Sequence, residues 1–360
     1  MQNLIWTNGD YNEVKEYIVD NNISTLMIVG DRGLKQDFIR RLIIELEQRE
    51  NVKTICFTNY VPNPDFSSVV EGVHLFKKNG CNGILAVGGG SAIDVSKCIK
   101  IFATAPNSIY YLSWDIVPNT IPFIAIPTTA GSGSEATKFA VVYKDGIKLS
   151  IEDDSAIPSL VILNPSLLNS LPYYQKKVTM LDALCHAIES FWSINANEES
   201  RNYSNEAITL ITENYEGYLD GKYDAYEAIL NAANIAGKAI NITKTTAGHA
   251  MAYKLTGLYG LPHGHAVSLC VLEVWKYMQD KLPLLNGMNI SIDAYEKILR
   301  ELEMSYPKSN TVSNDIKILV ETVNEGRLKN NPIKLSDSTI YRMYSNIIKD
   351  TTLIRRNIKS

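Results

Sequence analysis

The sequence predicts an α/β domain over residues 1–165, built on a parallel sheet, followed by an all-α domain over residues 166–360. Three observations lead there. In the first part, short apolar β-branched runs alternate with amphipathic stretches, the pattern of strands that each feed a covering helix. After residue 165, apolar residues recur every three or four positions and strand candidates become few. A length of 360 residues suits two domains.

The elements follow in order. STLMIVG (24–30) reads as a strand and LKQDFIRRLIIELEQR (34–49) as a helix. A strand at 53–58, a helix near 67–78, a strand at 83–87, a helix from Ser91 and a strand at 122–128 continue the alternation. FAVVYKD and IKLSIE flank Asp145-Gly146, a dipeptide suited to a tight hairpin. LVILNP (160–165) closes the α/β part. Helical spacing then runs through residues 176–193, 202–219 and 224–240. No internal repeat, linker or low-complexity segment interrupts the chain.

Bulk properties narrow the function classes. The net charge of −4 and the scattered basic residues predict no nucleic-acid partner. The opening residues, MQNLIWTNGDYNEV, lack a basic segment followed by an apolar run, so no signal peptide is expected. No apolar stretch approaches the roughly 20 residues of a membrane span. Cys56, Cys81, Cys98, Cys185 and Cys270 are odd in number and widely spaced, which predicts free thiols in the cytoplasm.

Two loops carry binding chemistry. GILAVGGGSAIDVSK (83–97) joins a strand to a helix through Gly88, Gly89, Gly90 and Ser91. Glycines let a phosphate approach the backbone, and the amides of the helix start attract it. IPTTAGSGSEAT (126–137) follows another strand and is rich in hydroxyls at Thr128, Thr129, Ser132 and Ser134. Two such loops at the ends of parallel strands would form one crevice for a dinucleotide; ordinary tight turns are the alternative. Asp31, after the first predicted strand, would accept bonds from an adenosine ribose and favour NAD(H) over NADP(H). It could instead cap the next helix, and neighbouring Arg32 would favour NADP(H).

The histidines are His74, His186, His249, His263 and His265. Asp182 and His186 lie four apart in a helical segment and share one face. With His249 and His263 they would offer a carboxylate and three imidazoles, a donor set for Fe²⁺ or Zn²⁺. His265 is an alternative to His263, and scattered structural histidines are the plainer reading. Cys185 is turned about 100° from His186 and reads as a core thiol. His74 reads as structural.

Together, PNP (62–64), GGGSAIDVSK (88–97), PTTAGSGSE (127–135), DALCHAIES (182–190) and PHG (262–264) resemble the iron-containing, group III alcohol dehydrogenases over nearly the whole chain. The resemblance implies the dehydroquinate synthase-like fold, with a dinucleotide-binding α/β domain, an all-helical domain, and the metal and active site in the cleft between them. It implies one Fe²⁺ or Zn²⁺ per chain on Asp182, His186, His249 and His263, choosing the His of PHG over His265. It also implies cofactor contacts at Asp31, Gly89, Gly90, Ser91, Asp94, Thr128, Thr129, Ser132 and Lys148, and a homodimer.

Members acting on simple alcohols often carry a second His four residues after the third ligand, where this chain has Tyr253. GHAMAYKLTGLYGLPHGHAV and ESFWSINANEESRNYS look most like the phosphonoacetaldehyde reductase (hydroxyethylphosphonate dehydrogenase) branch. The expected reaction is hydride transfer between NAD(P)H and a small aldehyde. Catalysis would involve Asp182, His186, His249 and His263, with the proton arriving through water, a ribose hydroxyl or Tyr253. Lys254, Lys244 with Thr245 and Thr246, and Arg201 with Asn195 are candidates for a phosphonate. The rivals are a short-chain alcohol or 1,2-diol dehydrogenase, a glycerol dehydrogenase or sugar-phosphate cyclase of the same fold, and a dinucleotide-binding sensor without turnover.

Overall fold

The computed structural model describes residues 2–106 and 110–351. The helical domain expected to run to residue 360 therefore extends past the described residues. The chain divides into two compact units: one holds residues up to Pro172 together with Asp220–Leu230, the other Tyr173–Leu219 and the described chain from Asn231.

The first unit is built on a six-stranded parallel sheet. Its strands are β1 (Asn3–Trp6), β2 (Thr25–Gly30), β3 (Lys53–Phe57), β4 (Gly83–Gly88), β5 (Phe123–Pro127) and β8 (Leu160–Leu163), in the order β1-β8-β5-β4-β2-β3. The interior strands β4, β5 and β8 are buried at every position, as a sheet covered on both faces requires. Helices α1 (Asn12–Asp20), α2 (Asp37–Arg49), α3 (Phe66–Lys78) and α4 (Gly90–Phe102) supply the covering layers. One apolar core gathers Val69, Val73, Ile99 and Phe102 beneath α3 and α4; the other gathers Val14, Ile18, Ile39 and Leu42 beneath α1 and α2.

The connection leaving β2 runs outward to β3, whereas that leaving β4 runs the opposite way to β5. The strand ends of β2 and β4 thus flank a topological switch point, the usual crevice of such sheets. The hairpin pairs β6 (Phe139–Lys144) with β7 (Ile147–Glu152) antiparallel. Asp145 and Gly146 both have positive φ, 52° and 75°, as a two-residue turn matched to strand twist demands.

Three features differ from the sequence reading. NLIW forms β1 and pairs in parallel with β8, a partner far along the chain that no local signal announces. The helix expected over 34–49 is a 3₁₀ turn at Arg32–Lys35, an extended Gln36, then α2. Residues Asp220–Leu230 belong to the first unit, where Tyr226 donates to Asn169 Oδ1 at 3.3 Å.

The second unit holds α5 (Tyr173–Trp192), α6 (Glu198–Leu219), most of α7 (Tyr223–Thr243), α8 (Ala247–Tyr259) and α9 (His263–Met278). It continues with α10 (Ile292–Glu301), α11 (Val312–Glu321), α12 (Glu325–Leu328) and α13 (Asp337–Ile347). Its only described strands are the two-residue pair β9 (Lys308–Ser309) and β10 (Lys349–Asp350). Among the described residues no helix is long and apolar enough to cross a membrane, and all five cysteines are free thiols.

The start of α9 lies directly on α5. A Cβ at Gly264 would stand 1.9 Å from the Val178 carbonyl oxygen and 3.0 Å from Asp182 Cβ. Gly257, inside α8, has nothing within 4 Å of its would-be Cβ. Gly264→Ala should therefore destabilise the protein by about 1–3 kcal/mol through overpacking against backbone. Gly257→Ala should gain roughly 0.5–1 kcal/mol from helix propensity. Urea midpoints test the pair, and a wild-type midpoint for Gly264→Ala would refute the close approach of α9 to α5.

Candidate functional site

At the switch point the two small-residue loops touch. Thr128 N donates to Gly88 O at 3.0 Å. A Cβ at Gly89 would meet Thr129 Oγ1 at 3.0 Å, and one at Gly90 would meet Ser132 Oγ at 2.8 Å. A side chain at either glycine would press on the hydroxyl residues of the loop after β5 where the loop after β4 passes it. Gly89 caps α4 without a side-chain bond to the first helical amides. This leaves an uncapped helix start suited to an anion. Gly89, Gly90, Ser91, Thr128, Thr129 and Ser132 are gathered here. Asp31 follows β2 on the exposed rim, where one carboxylate oxygen accepts from Gly33 N at 3.3 Å.

Asp94, expected at the cofactor, is occupied within the protein. Its Oδ1 accepts from Ser134 Oγ at 2.5 Å and its Oδ2 from Val141 N at 3.0 Å. It braces the second loop against the hairpin. Lys148, in β7 opposite Tyr143, is near enough for its charge to act on the Asp94 carboxyl. One turn after Asp94, Lys97 is fully buried. Its Nζ donates to Ser134 O (2.6 Å), Thr137 Oγ1 (3.0 Å) and Phe139 O (2.7 Å). A lysine that folds the loop from beneath was not anticipated; its spacing from Asp94 on α4 was the available signal.

The titratable cluster lies wholly in the helical unit. Ligand atoms of Asp182, His249 and His263 fall within 4.8 Å of one another. Asp182 and His186 stand one turn apart on α5, His249 is in the first turn of α8, and His263 begins α9. His186 stands outside the triangle, its ring stacked on that of His249 with centroids 4.6 Å apart and planes at 15°. Tyr253, one turn after His249, stacks on His263 at 5.7 Å and 14°.

Two atoms at the centre lack a hydrogen-bond partner among the described residues: Asp182 Oδ1 and His249 Nε2, both buried and 3.6 Å apart. Orphaned buried polar atoms call for an absent partner, and a carboxylate facing imidazole nitrogens fits a divalent cation. The electrostatics agree. Burial opposes charge on both groups, but the neighbouring imidazoles, His186 foremost, hold the Asp182 carboxyl below the usual carboxylate range. Against the same burial penalty, Glu189 and then Asp182 push His249 up to about 10. Without a cation these carboxylates hold a proton on His249, which a metal would displace.

His265 is not available to this cluster. Its Nε2 lies 2.8 Å from Ser305 O, which can only accept, so Nε2 carries the proton and Nδ1 accepts from Tyr174 Oη at 2.7 Å. Burial lowers its pKa, keeping the ring neutral. Cys185 is buried beside Tyr295 Oη (3.3 Å). His74 is exposed, edge-on to Tyr111.

Glu189 was missed. It is 0% exposed and receives Thr246 Oγ1 (2.6 Å), Gly248 N (2.8 Å) and the Nδ1 of His249. Its position, seven residues after Asp182 and three after His186, was the legible signal. Among the candidates for an anionic substrate group, Thr246 Oγ1 is already used by Trp192 Nε1 (2.8 Å) and Glu189. Asn195 bonds Thr243 O and Asn330 Oδ1. Lys254 is exposed, and Arg201 has a buried Nε with no hydrogen-bond partner among the described residues.

Comparison with known proteins gives a consistent set of relatives. Residues 2–165 match the family model for iron-containing alcohol dehydrogenase, and residues 176–348 match that for the C-terminal part of the Fe-containing alcohol dehydrogenase family. The chain is 33% identical over 260 residues to 1,3-propanediol dehydrogenase of Citrobacter freundii, covering 70% of this chain and 67% of that protein. It is 30% identical over 323 residues to aldehyde-alcohol dehydrogenase 2 of Entamoeba histolytica, covering 84% of this chain but only 37% of that longer protein. Among solved structures, sulfoacetaldehyde reductase from Bifidobacterium kashiwanohense in complex with NAD+ superposes with a TM-score of 0.88 at 26% identity, covering 96% of each chain.

The buried lysine under the loop generates a pH prediction. Burial pulls Lys97 down to about 8 from 10.5, although Asp94 and Glu135 raise it. Between those values the unfolded chain holds a proton that the folded chain lacks, so stability rises with pH through this window. Lys97→Met should reduce that rise, leaving the share of Lys100, which burial also pulls down to about 8. Denaturation of both proteins across the window measures it; equal slopes would show that Lys97 is not the group responsible.

Proposed function

The chain belongs to the iron-containing alcohol dehydrogenase family, and from that premise we propose that it is a metal- and nicotinamide-dependent oxidoreductase acting on a small aldehyde or primary alcohol. The observation that carries the proposal is the meeting of Asp182, His249 and His263 within 4.8 Å, with Asp182 Oδ1 and His249 Nε2 lacking hydrogen-bond partners among the described residues. Asp182, His186, His249 and His263 hold one Fe²⁺ or Zn²⁺. Bound there, the ion supplies Lewis acidity toward a carbonyl oxygen. NAD(H), chosen over NADP(H) by Asp31, supplies the hydride. Gly89, Gly90, Ser91, Thr128, Thr129, Ser132 and Lys148 bind the dinucleotide, and Asp94 and Lys97 keep its loop in shape. Tyr253, flat against His263, shields one side of the centre and, with water or the cofactor ribose, delivers the proton. The protein acts as a cytoplasmic homodimer in this reading.

For the substrate we propose phosphonoacetaldehyde, reduced to 2-hydroxyethylphosphonate. Two observations support an anionic aldehyde. Tyr253 replaces the histidine common in members acting on simple alcohols, and one structural neighbour is a reductase of an aldehyde bearing a sulfonate. The anion contact in this reading comes from Arg201, whose Nε has no hydrogen-bond partner among the described residues, with Lys244 and Lys254 as further cations. The second reading, a short-chain alcohol or diol dehydrogenase, is favoured by the 1,3-propanediol dehydrogenase relative.

The protein reconstituted with Fe²⁺ or Zn²⁺ decides between them when nicotinamide absorbance is followed with NADH or NADPH. The aldehydes are phosphonoacetaldehyde, sulfoacetaldehyde, acetaldehyde, lactaldehyde and butanal, with 1,3-propanediol in the reverse direction. Selectivity for phosphonoacetaldehyde is expected, and His263→Ala should lower kcat/KM by at least about 100-fold. At least one of Arg201→Ala, Lys244→Ala and Lys254→Ala should raise its KM about tenfold or more, the worth of a charged hydrogen bond. Turnover of the uncharged substrates alone would remove the phosphonate assignment; an NADH-binding protein with no turnover would point to a sensor.

A further inference from the structure

We propose that Glu189 is the positioning residue of the metal centre: by holding the Nδ1–H of His249 it aims the lone pair of Nε2 at the cation. The inference rests on the metal reading above. Glu189, near the end of α5, is fully buried with its carboxylate against the start of α8. The two oxygens have different partners. Oε1 accepts from Thr246 N (3.2 Å), Thr246 Oγ1 (2.6 Å) and Gly248 N (2.8 Å), with His249 N at 3.4 Å. Oε2 faces the Nδ1 of His249. A carboxylate can only accept, so Nδ1 carries the proton. The opposite nitrogen, Nε2, then points to Asp182 Oδ1 at 3.6 Å, where a cation would sit. A helix start is a favourable place for this negative charge, and the bonds on Oε1 fix the carboxylate plane.

The asymmetry makes one substitution diagnostic. In Glu189→Gln the donors around Oε1 keep the amide oxygen on their side. The amide NH₂ then faces His249 and donates to Nδ1, which must offer a lone pair. His249 is driven to carry its proton on Nε2, directed at the cation position. The isosteric change therefore blocks the ligand while preserving volume and most of the hydrogen bonds.

Chelator competition for Co²⁺, with the visible ligand-field spectrum of the bound ion, tests this on wild type, Glu189→Gln and His263→Ala. Wild type is expected to bind, and Glu189→Gln to bind about 10–100-fold more weakly with a shifted spectrum, while NADH affinity stays unchanged as the check on folding. Equal Co²⁺ affinity and an identical spectrum in Glu189→Gln would overturn the role of Glu189 and leave the metal reading intact. Absence of Co²⁺ binding in wild type would overturn the metal reading and this role with it. A second measurement needs no variant: long-range ¹H–¹⁵N correlation of Zn²⁺-loaded wild type labelled at histidine. His249 protonated at Nδ1 and ligating through Nε2 is expected; the reverse assignment overturns the proposal even if Glu189→Gln does not fold.

Discussion

The helical unit is organised around a buried carboxylate at the N-terminus of α8. Glu189 ties α5 to the Thr246–His249 turn through amide, hydroxyl and imidazole donors at once. A buried charge is tolerable only when its hydrogen-bonding capacity is filled, and removing one partner of such a pair typically costs about 3–5 kcal/mol. The turn it holds delivers His249 to the face of α5 that already carries Asp182 and His186. Trp192, from the end of α5, closes the same network through Thr246 Oγ1. The close approach at Gly264 then places His263 against that face. Three separate helices thus reach one point because their backbones are clamped or packed there.

The α/β unit solves a similar problem with an opposite charge. Lys97 lies beneath the loop after β5 and holds one carbonyl and one hydroxyl of that loop and the Phe139 carbonyl that opens β6, while Asp94 holds Ser134 and the hairpin. Burial opposes ionisation of both groups, and their proximity offsets part of that cost. The consequence is a loop shaped from within. Binding sites are held more accurately by such supported loops than by mobile ones, because the ordering entropy is already spent in folding.

Much of this was legible locally. β4, β5 and β8 read directly as apolar β-branched runs, and Asp145-Gly146 marked its hairpin because that turn needs positive φ. Asp182 and His186 shared a face by helical spacing alone. Other features carried no local mark. β1 forms because NLIW finds β8 more than 150 residues away. The break at Gln36 interrupts a segment whose apolar spacing continues smoothly through it. Glu189 lay on the same face as the predicted ligands, yet an acidic residue within a helix reads as solvated until its burial is known.

The sequence by itself determined most element types, the small-residue loops at strand ends and the spacing of the candidate ligand residues, since these follow from periodicity and side-chain chemistry within a few residues. Only the tertiary structure decided which histidines meet. His263 and His265 are two residues apart and chemically identical, and helix packing turns one toward Asp182 and seals the other between Tyr174 and Ser305. It likewise turned Asp94 inward to a brace and gave Glu189 its partner. Burial, hydrogen-bond partner and direction are properties of a side chain's neighbours, and those neighbours come from distant parts of the chain.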